Sequence, residues 1–257
     1  DYTVDADVSG LVDGELTIDA SATDNNGETV TATDTAELDT TAPTLTINAP
    51  DTNDTTPILS GTSDEIGATI SVTVTDANNQ TQTLTAVVAS DGSWTVDVAD
   101  ELAEGTYTVQ ASVEDDAGNE AVANTQGEID LTAPTLTLEV PTNVNDTTPT
   151  ISGTSDEIGG TVYLVVTDAD GNEQQLEATV DNNGNWQVDA EIPLAVGEYT
   201  VSATISDDVG NQVQASQSEG TIEPSVTIVD FELNSEVGVN VTDSIWSGGV
   251  SNNQFGI

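Results

Sequence analysis

Aspartate and glutamate are the only side chains here that ionise near neutral pH. There are 47 of them in 257 residues, with no lysine, arginine, histidine or cysteine. Two kinds of chemistry suit such a set: oxygen ligation of a hard cation, and acid–base work by a carboxylate pair. The acidic residues recur at fixed places. Asp39, Asp64, Glu65, Asp115 and Asp116 form one series, and Asp130, Asp156, Glu157, Asp207 and Asp208 form a second. If either series converges, five carboxylates meet with no cation of the chain to pair them, and each pair at ~4 Å costs several kcal/mol at intermediate dielectric. A Ca²⁺ ion, which takes roughly six to eight oxygen ligands, removes that cost. Zinc and copper lack the histidine and cysteine they favour. A further candidate is Asp168, Asp170 and Asn172, spaced like the opening of an EF-hand loop, although Thr179 stands where that loop would place its bidentate glutamate. The alternative for every cluster is a solvated turn, in which Asp and Asn favour the backbone geometry.

The formal net charge of −47 excludes other functions. An average chain of this length would carry about thirty basic residues. Without any, recognition of nucleic-acid phosphates and docking on anionic lipid have no basis. Schiff-base and P-loop chemistry lack their lysine, and disulfides and thiolate metal sites lack cysteine. Self-repulsion opposes folding, so counter-ions from outside are needed. High charge also raises the expectation of disorder, but hydrophobic residues make up 35% of the chain and alternate regularly. No run is long enough to span a membrane as a helix. The start at Asp1 reads as an internal fragment.

The elements that must position the carboxylates come from an internal repeat. NDTTPILSGTSDEIG begins at Asn53, and NDTTPTISGTSDEIG begins at Asn145, 92 residues on (145 − 53). Trp94 recurs as Trp186, Tyr107 as Tyr199, and Gly118-Asn119 as Gly210-Asn211. The linker that starts at Asp39 returns at Asp130. Residues 1–38 read as strands E to G of a preceding repeat, 39–129 and 130–222 as complete repeats, and 223–257 as the start of a divergent β domain. Within a repeat, Val/Thr/Ile-rich segments alternate with period two between Asp/Asn/Gly turns. The expected strands of the first are A at 44–48, B at 57–61, C at 69–75, D at 82–88, E at 93–98, F at 106–113 and G at 121–129. A helical turn fits 99–104. Seven short strands in about ninety residues are the pattern of a β-sandwich. Trp94 and Trp186 fit core anchors, and Tyr107 and Tyr199 fit tyrosine corners. The predicted fold is all-β: tandem seven-stranded immunoglobulin-like sandwiches in a linear array.

In such a sandwich the linker and the BC and FG loops lie at one end. Each of the two acidic series therefore gathers at a junction between repeats. The EF loop of the preceding unit faces it, with Asp13 or Glu15 at the first junction and Glu101 or Glu104 at the second.

The DTTAPTL linker, the NDTTPxxSGTSDEIG segment, the GTYTVxASVxDDAGN stretch and the strand-E tryptophan together resemble the bacterial Ig-like repeats of giant RTX-type adhesins. The resemblance spans roughly residues 1–222. It implies a type I-secreted surface protein of a Gram-negative bacterium, used in attachment or biofilm formation. In it the repeats would act as extenders whose partners are neighbouring repeats, rigidified by Ca²⁺, while another domain meets a host, matrix or abiotic surface. Neither nucleic acid nor membrane insertion is expected. A ligand-binding module for carbohydrate or peptide, and a surface-layer or filament subunit, are the alternatives. An enzyme would be confined to a paired-carboxylate glycosidase, duplicated in each small sandwich, and the reading is non-enzymatic.

With no lysine or arginine, trypsin has no site in the chain. Digestion in urea, followed by mass spectrometry, should return it uncut, while chymotrypsin under the same conditions should cleave at its aromatic residues.

Overall fold

The computed structural model describes residues 3–224. Fourteen antiparallel strands and no helix are found among them. The first two, β1 (Gly14–Thr23) and β2 (Thr29–Leu38), pair as a hairpin. Ile18 and Val30 of this hairpin lie exposed, since among the described residues no second sheet packs on it. The expected strand E ahead of it does not form: residues 3–12 contain no strand. The expected start of a divergent domain lies mostly outside the described residues.

Each complete repeat is two sheets around its own core. In the first, β3 (Ile58–Thr62) pairs with β6 (Ser93–Asp97). The opposing sheet runs β5 (Thr81–Val87), β4 (Thr69–Thr75), β7 (Gly105–Glu114), β8 (Glu120–Ile129). The second repeat copies this layout. There β9 (Thr150–Thr154) pairs with β12 (Asn185–Asp189), and β11 (Glu173–Thr179), β10 (Thr161–Thr167), β13 (Gly197–Ser206) and β14 (Gln212–Ile222) form the larger sheet in that order. The period-two pattern explains the layering: Ile70, Val72 and Val74 of β4 and Tyr107, Val109, Ala111 and Val113 of the neighbouring β7 all point inward from the larger sheet, fully or almost fully buried in one core with Leu59 and Trp94 of the smaller sheet. Ile151, Val162, Leu164, Val201 and Ile205 belong to the second core.

Strand A differs from expectation. Instead of a continuous strand, Leu45 and Asn48 form isolated bridges to Ser63 and Ser60. The ladder breaks because the Thr46 hydroxyl, not a backbone carbonyl, accepts the Thr62 N–H at 2.8 Å. Thr137 does the same for Thr154 at 2.7 Å. Further on, the chain crosses to the other sheet, where Thr52 pairs in parallel with Ile129 and Val144 with Ile222. No helical turn forms over 99–104. That segment is an extended crossing held by Gln82 Oε1, which accepts from the Ala99 and Asp100 N–H groups, and by Leu102 buried in the core.

The aromatic anchors sit over glycines. Trp94 pairs with Gly61, and Tyr107 with Gly127. A Cβ on Gly61 would lie 2.0 Å from the Thr46 carbonyl oxygen and 2.7 Å from the Trp94 ring. Tyr107 and Tyr199 donate their hydroxyls to the Pro50 and Pro141 carbonyls at 2.7 Å, tying β7 and β13 to the strand-A segments. Burial pushes both phenols up to about 12. Gly61→Ala and Gly153→Ala should each destabilise their repeat by about 1–3 kcal/mol through overpacking, read as a lower urea midpoint for that repeat.

Candidate metal centre at the repeat junctions

At the first junction the linker is caught between two loops. The Thr44 N–H donates to Asp64 Oδ1 of the 63–68 loop at 2.8 Å. The Asn119 amide, from the 115–119 turn, donates to the Asp39 carbonyl at 3.2 Å. From the preceding unit, Asp13 accepts from the Thr40 N–H (3.0 Å) and from the Thr40 and Thr41 hydroxyls (2.7 Å each). The second junction repeats the scheme. Asp156 Oδ1 accepts from the Thr135 N–H at 2.7 Å, the Asn211 amide donates to the Asp130 carbonyl at 2.8 Å, and Glu104 accepts from the Thr132 hydroxyl. Of the paired alternatives facing each junction, Asp13 and Glu104 hold the linker.

The five acidic positions of each series divide by what their oxygens already do. Asp115 and Asp207 are hubs of tight turns. Asp115 accepts from the Ala117 and Asn119 N–H groups and from the Asn119 amide at 2.8–2.9 Å. Asp207 accepts from the N–H groups of Val209, Gly210 and Asn211 and from the Asn211 amide. Both turns place glycine in the left-handed region, Gly118 at φ +89° and Gly210 at φ +96°, a geometry that favours that residue. The Asn119 side chain holds the Asp115 carboxyl below its ordinary range. Burial pulls Asp207 upward, but the Asn211 side chain and the turn N–H groups outweigh it and the net shift is downward. Asp39 and Asp130 each accept one N–H, from Thr41 and Thr132.

Glu65 and Glu157 are under-compensated. Partial burial raises the Glu65 carboxyl, and Asp115, Asp64, Asp116 and Asp39 push it the same way. For Glu157 burial again leads, followed by Asp208, Asp207, Asp156 and Asp130. Every member of each series is therefore close enough to be felt at the central glutamate. Even so, no group of three or more carboxylates among the described residues stands in a ready-made metal-binding arrangement.

The Asp168 loop is a hairpin turn between β10 and β11. Asp168 accepts from the Asp170 and Asn172 N–H groups, the Asn172 amide and the Ala195 N–H. The Asn172 side chain is the main cause of its lowered pKa. Asp76 makes the equivalent bonds from Asn78, Gln80 and Ala103 in the first repeat. Asp170 and Asn172 are exposed, and Asp168 both shapes this turn and anchors the crossing segment through the Ala195 N–H.

Residues 46–131 and 139–224 match the family described as bacterial Ig-like domain. The chain belongs to that family. Among solved structures, these Ig-like repeats are similar to a tetra-tandem repeat in the extending region of a large adhesion protein, at 34% identity over 84% of this chain and 58% of that one, TM-score 0.37. They are also similar to part of a 1.5-MDa bacterial ice-binding adhesin studied for host cell surface retention, at 23% identity over 85% and 77%, TM-score 0.43. A third is a Ca²⁺-stabilised adhesin with which an Antarctic bacterium reaches out and binds ice, at 26% identity over 82% and 57%, TM-score 0.40. The chain thus spans less than two thirds of the first and third of these. No curated protein matches it.

The two kinds of carboxylate give the Ig-like repeats opposite pH dependences. Glu65 and Glu157 hold their protons more tightly when folded, so they favour folding at acid pH and oppose it as pH rises past the ordinary glutamate value of 4.5. Asp115 and Asp207 contribute stability above the ordinary aspartate value of 3.8, and it is lost as pH falls through their lowered values. In EDTA at pH 7, Glu65→Gln and Glu157→Gln should raise the melting temperature, while Asp115→Asn and Asp207→Asn should lower it. Thermal scans from pH 3 to 8 read both signs.

Proposed function

We propose that this chain is an extender segment of a bacterial cell-surface adhesin, its repeats held in line by Ca²⁺ bound at their junctions. The observation that carries this reading is the crowding of four acidic neighbours on Glu65, and four on Glu157, beside a linker pinned from both sides. No side chain of the chain can neutralise them. The donor set fits calcium: hard oxygens only, on loops already positioned by hydrogen bonds. Glu65, Asp116, Asp39 and Asp64 would hold the ion at the first junction, and Glu157, Asp208, Asp130 and Asp156 at the second. Asp115 and Asp207 serve mainly to shape the turns.

Calcium would supply the missing positive charge and so favour the folded, aligned state. An ion that binds only that state stabilises it by about 2.7 kcal/mol at a hundred times its Kd. Low calcium inside the cell leaves the repeats loose, and millimolar calcium outside stiffens them. The array then holds a terminal domain away from the cell to meet a host, matrix or abiotic surface in attachment or biofilm formation. The repeats themselves perform no catalytic step in this role.

Calorimetry at fixed ionic strength tests the metal. Calcium should raise the melting temperature above its value in EDTA, and Glu65→Gln combined with Glu157→Gln should remove most of that rise. A melting temperature unaffected by calcium would overturn the proposal.

A further inference from the structure

The second junction contains a direct hydrogen bond between side chains of the two complete repeats. The parallel bridge of Thr52 with Ile129 lays the strand-A segment beside the end of β8: the Thr52 N–H donates to the Glu128 carbonyl at 2.9 Å, and the Asp130 N–H to the Thr52 carbonyl at 3.1 Å. This places Asn53, the next residue, beside the linker. From the other side comes Asn211, which ends the Asp207–Asn211 turn of the following repeat. Its amide nitrogen donates to the Asp130 carbonyl and to Asp207 Oδ2, both at 2.8 Å. Its amide oxygen accepts from Asn53 Nδ2 at 3.2 Å.

We infer that Asn53 and Asn211 form a clasp that aligns successive repeats before any ion binds, and that its partner surface is the F–G turn of the following repeat. The residue type follows from the inventory of bonds. Position 211 needs two donors and one acceptor at once, which a primary amide supplies and neither a carboxylate nor a hydroxyl does. An aspartate there would lose both donors and add a charge beside Asp207. The glycine before it, Gly210, borders the contact: a Cβ there would stand at ordinary contact distance, 3.8 Å, from Asn53 Nδ2.

The same parts recur along the chain. Asn119 makes the corresponding bonds to the Asp39 carbonyl (3.2 Å) and Asp115 Oδ2 (2.8 Å). At the far end of the second repeat, Val144 bridges Ile222 as Thr52 bridges Ile129, and the next residue, Asn145, is exposed. That surface presents the donor half of the clasp to any repeat whose F–G turn reads Asp-Asp-x-Gly-Asn. The clasp rests on the extender reading and deepens it: its bonds are made by side-chain amides, a carboxylate and one linker carbonyl.

Residual dipolar couplings of the 257-residue chain in EDTA test it. In the parent, residues 39–129 and 130–222 should align with one common tensor. Asn53→Ala and Asn211→Ala should each lose that common alignment, the double variant should lose no more than either single one, and Asn119→Ala should retain it. The amide spectrum within each repeat checks folding, and Asn53→Ala, in an exposed loop, should leave it unchanged outside the contact. If Asn53→Ala and Asn211→Ala align like Asn119→Ala, the clasp is overturned. A repeat of the couplings in calcium reads the metal separately, so that loss of calcium stiffening with an intact clasp would count against the extender reading alone.

Discussion

The constraint on which everything else rests is the absence of any internal counter-charge to 47 carboxylates. In an ordinary domain, lysine and arginine absorb such charge in ion pairs. Here N–H groups, hydroxyls and side-chain amides must do so, and they are fixed in place by the fold. Aspartates have become turn hubs as a result. Asp76, Asp115, Asp168, Asp181 and Asp207 each accept backbone N–H groups from the two-to-four residues that follow. A carboxylate used this way is stabilised in its ionised form, and it sets the hairpin as well. Carboxylates with no such donors, chiefly Glu65 and Glu157, are left with the repulsion.

That division separates fold from junction. The cores are built without charge, from alternating aliphatic residues and two aromatics, and their most exacting contacts are those of the Trp and Tyr rings with facing glycines. Little in the interior depends on ions. The indole N–H of Trp94 and of Trp186 lies buried without a protein acceptor, while each ring packs on the glycine opposite it. The carboxylates that crowd Glu65 and Glu157 lie instead at one end of each sandwich, where two loops and a linker meet.

The junction is also where polar side chains reach between units. Asp13 and Glu104 hold linker threonines from one side, and Asn119 and Asn211 hold linker carbonyls from the other. Linker residues with both flanks tied lose much of the freedom of a flexible tether, so the cost of aligning repeats is met partly in the covalent neighbourhood of the linker. A cation added to such a site has less to order than one binding to free loops.

The sequence by itself determined the repeat and its register, the all-β class, the core positions of Trp94 and Tyr107, and the gathering of each acidic series at one end of a sandwich. These are legible because period-two alternation and a 92-residue spacing are local, one-dimensional signals. The tertiary structure alone decided what each carboxylate does there. Nothing in Asp-Asp-Ala-Gly-Asn says that Asp115 is consumed by its own turn, or that Asp168 anchors a crossing segment 27 residues away, since both facts depend on which N–H groups arrive in space. The same holds for strand A, where a threonine hydroxyl displaces a backbone carbonyl. It holds equally for Asn53 and Asn211, 158 positions apart, which the sequence records only as members of two segments that recur once in each repeat. Their meeting is a product of how one sandwich is set upon the next.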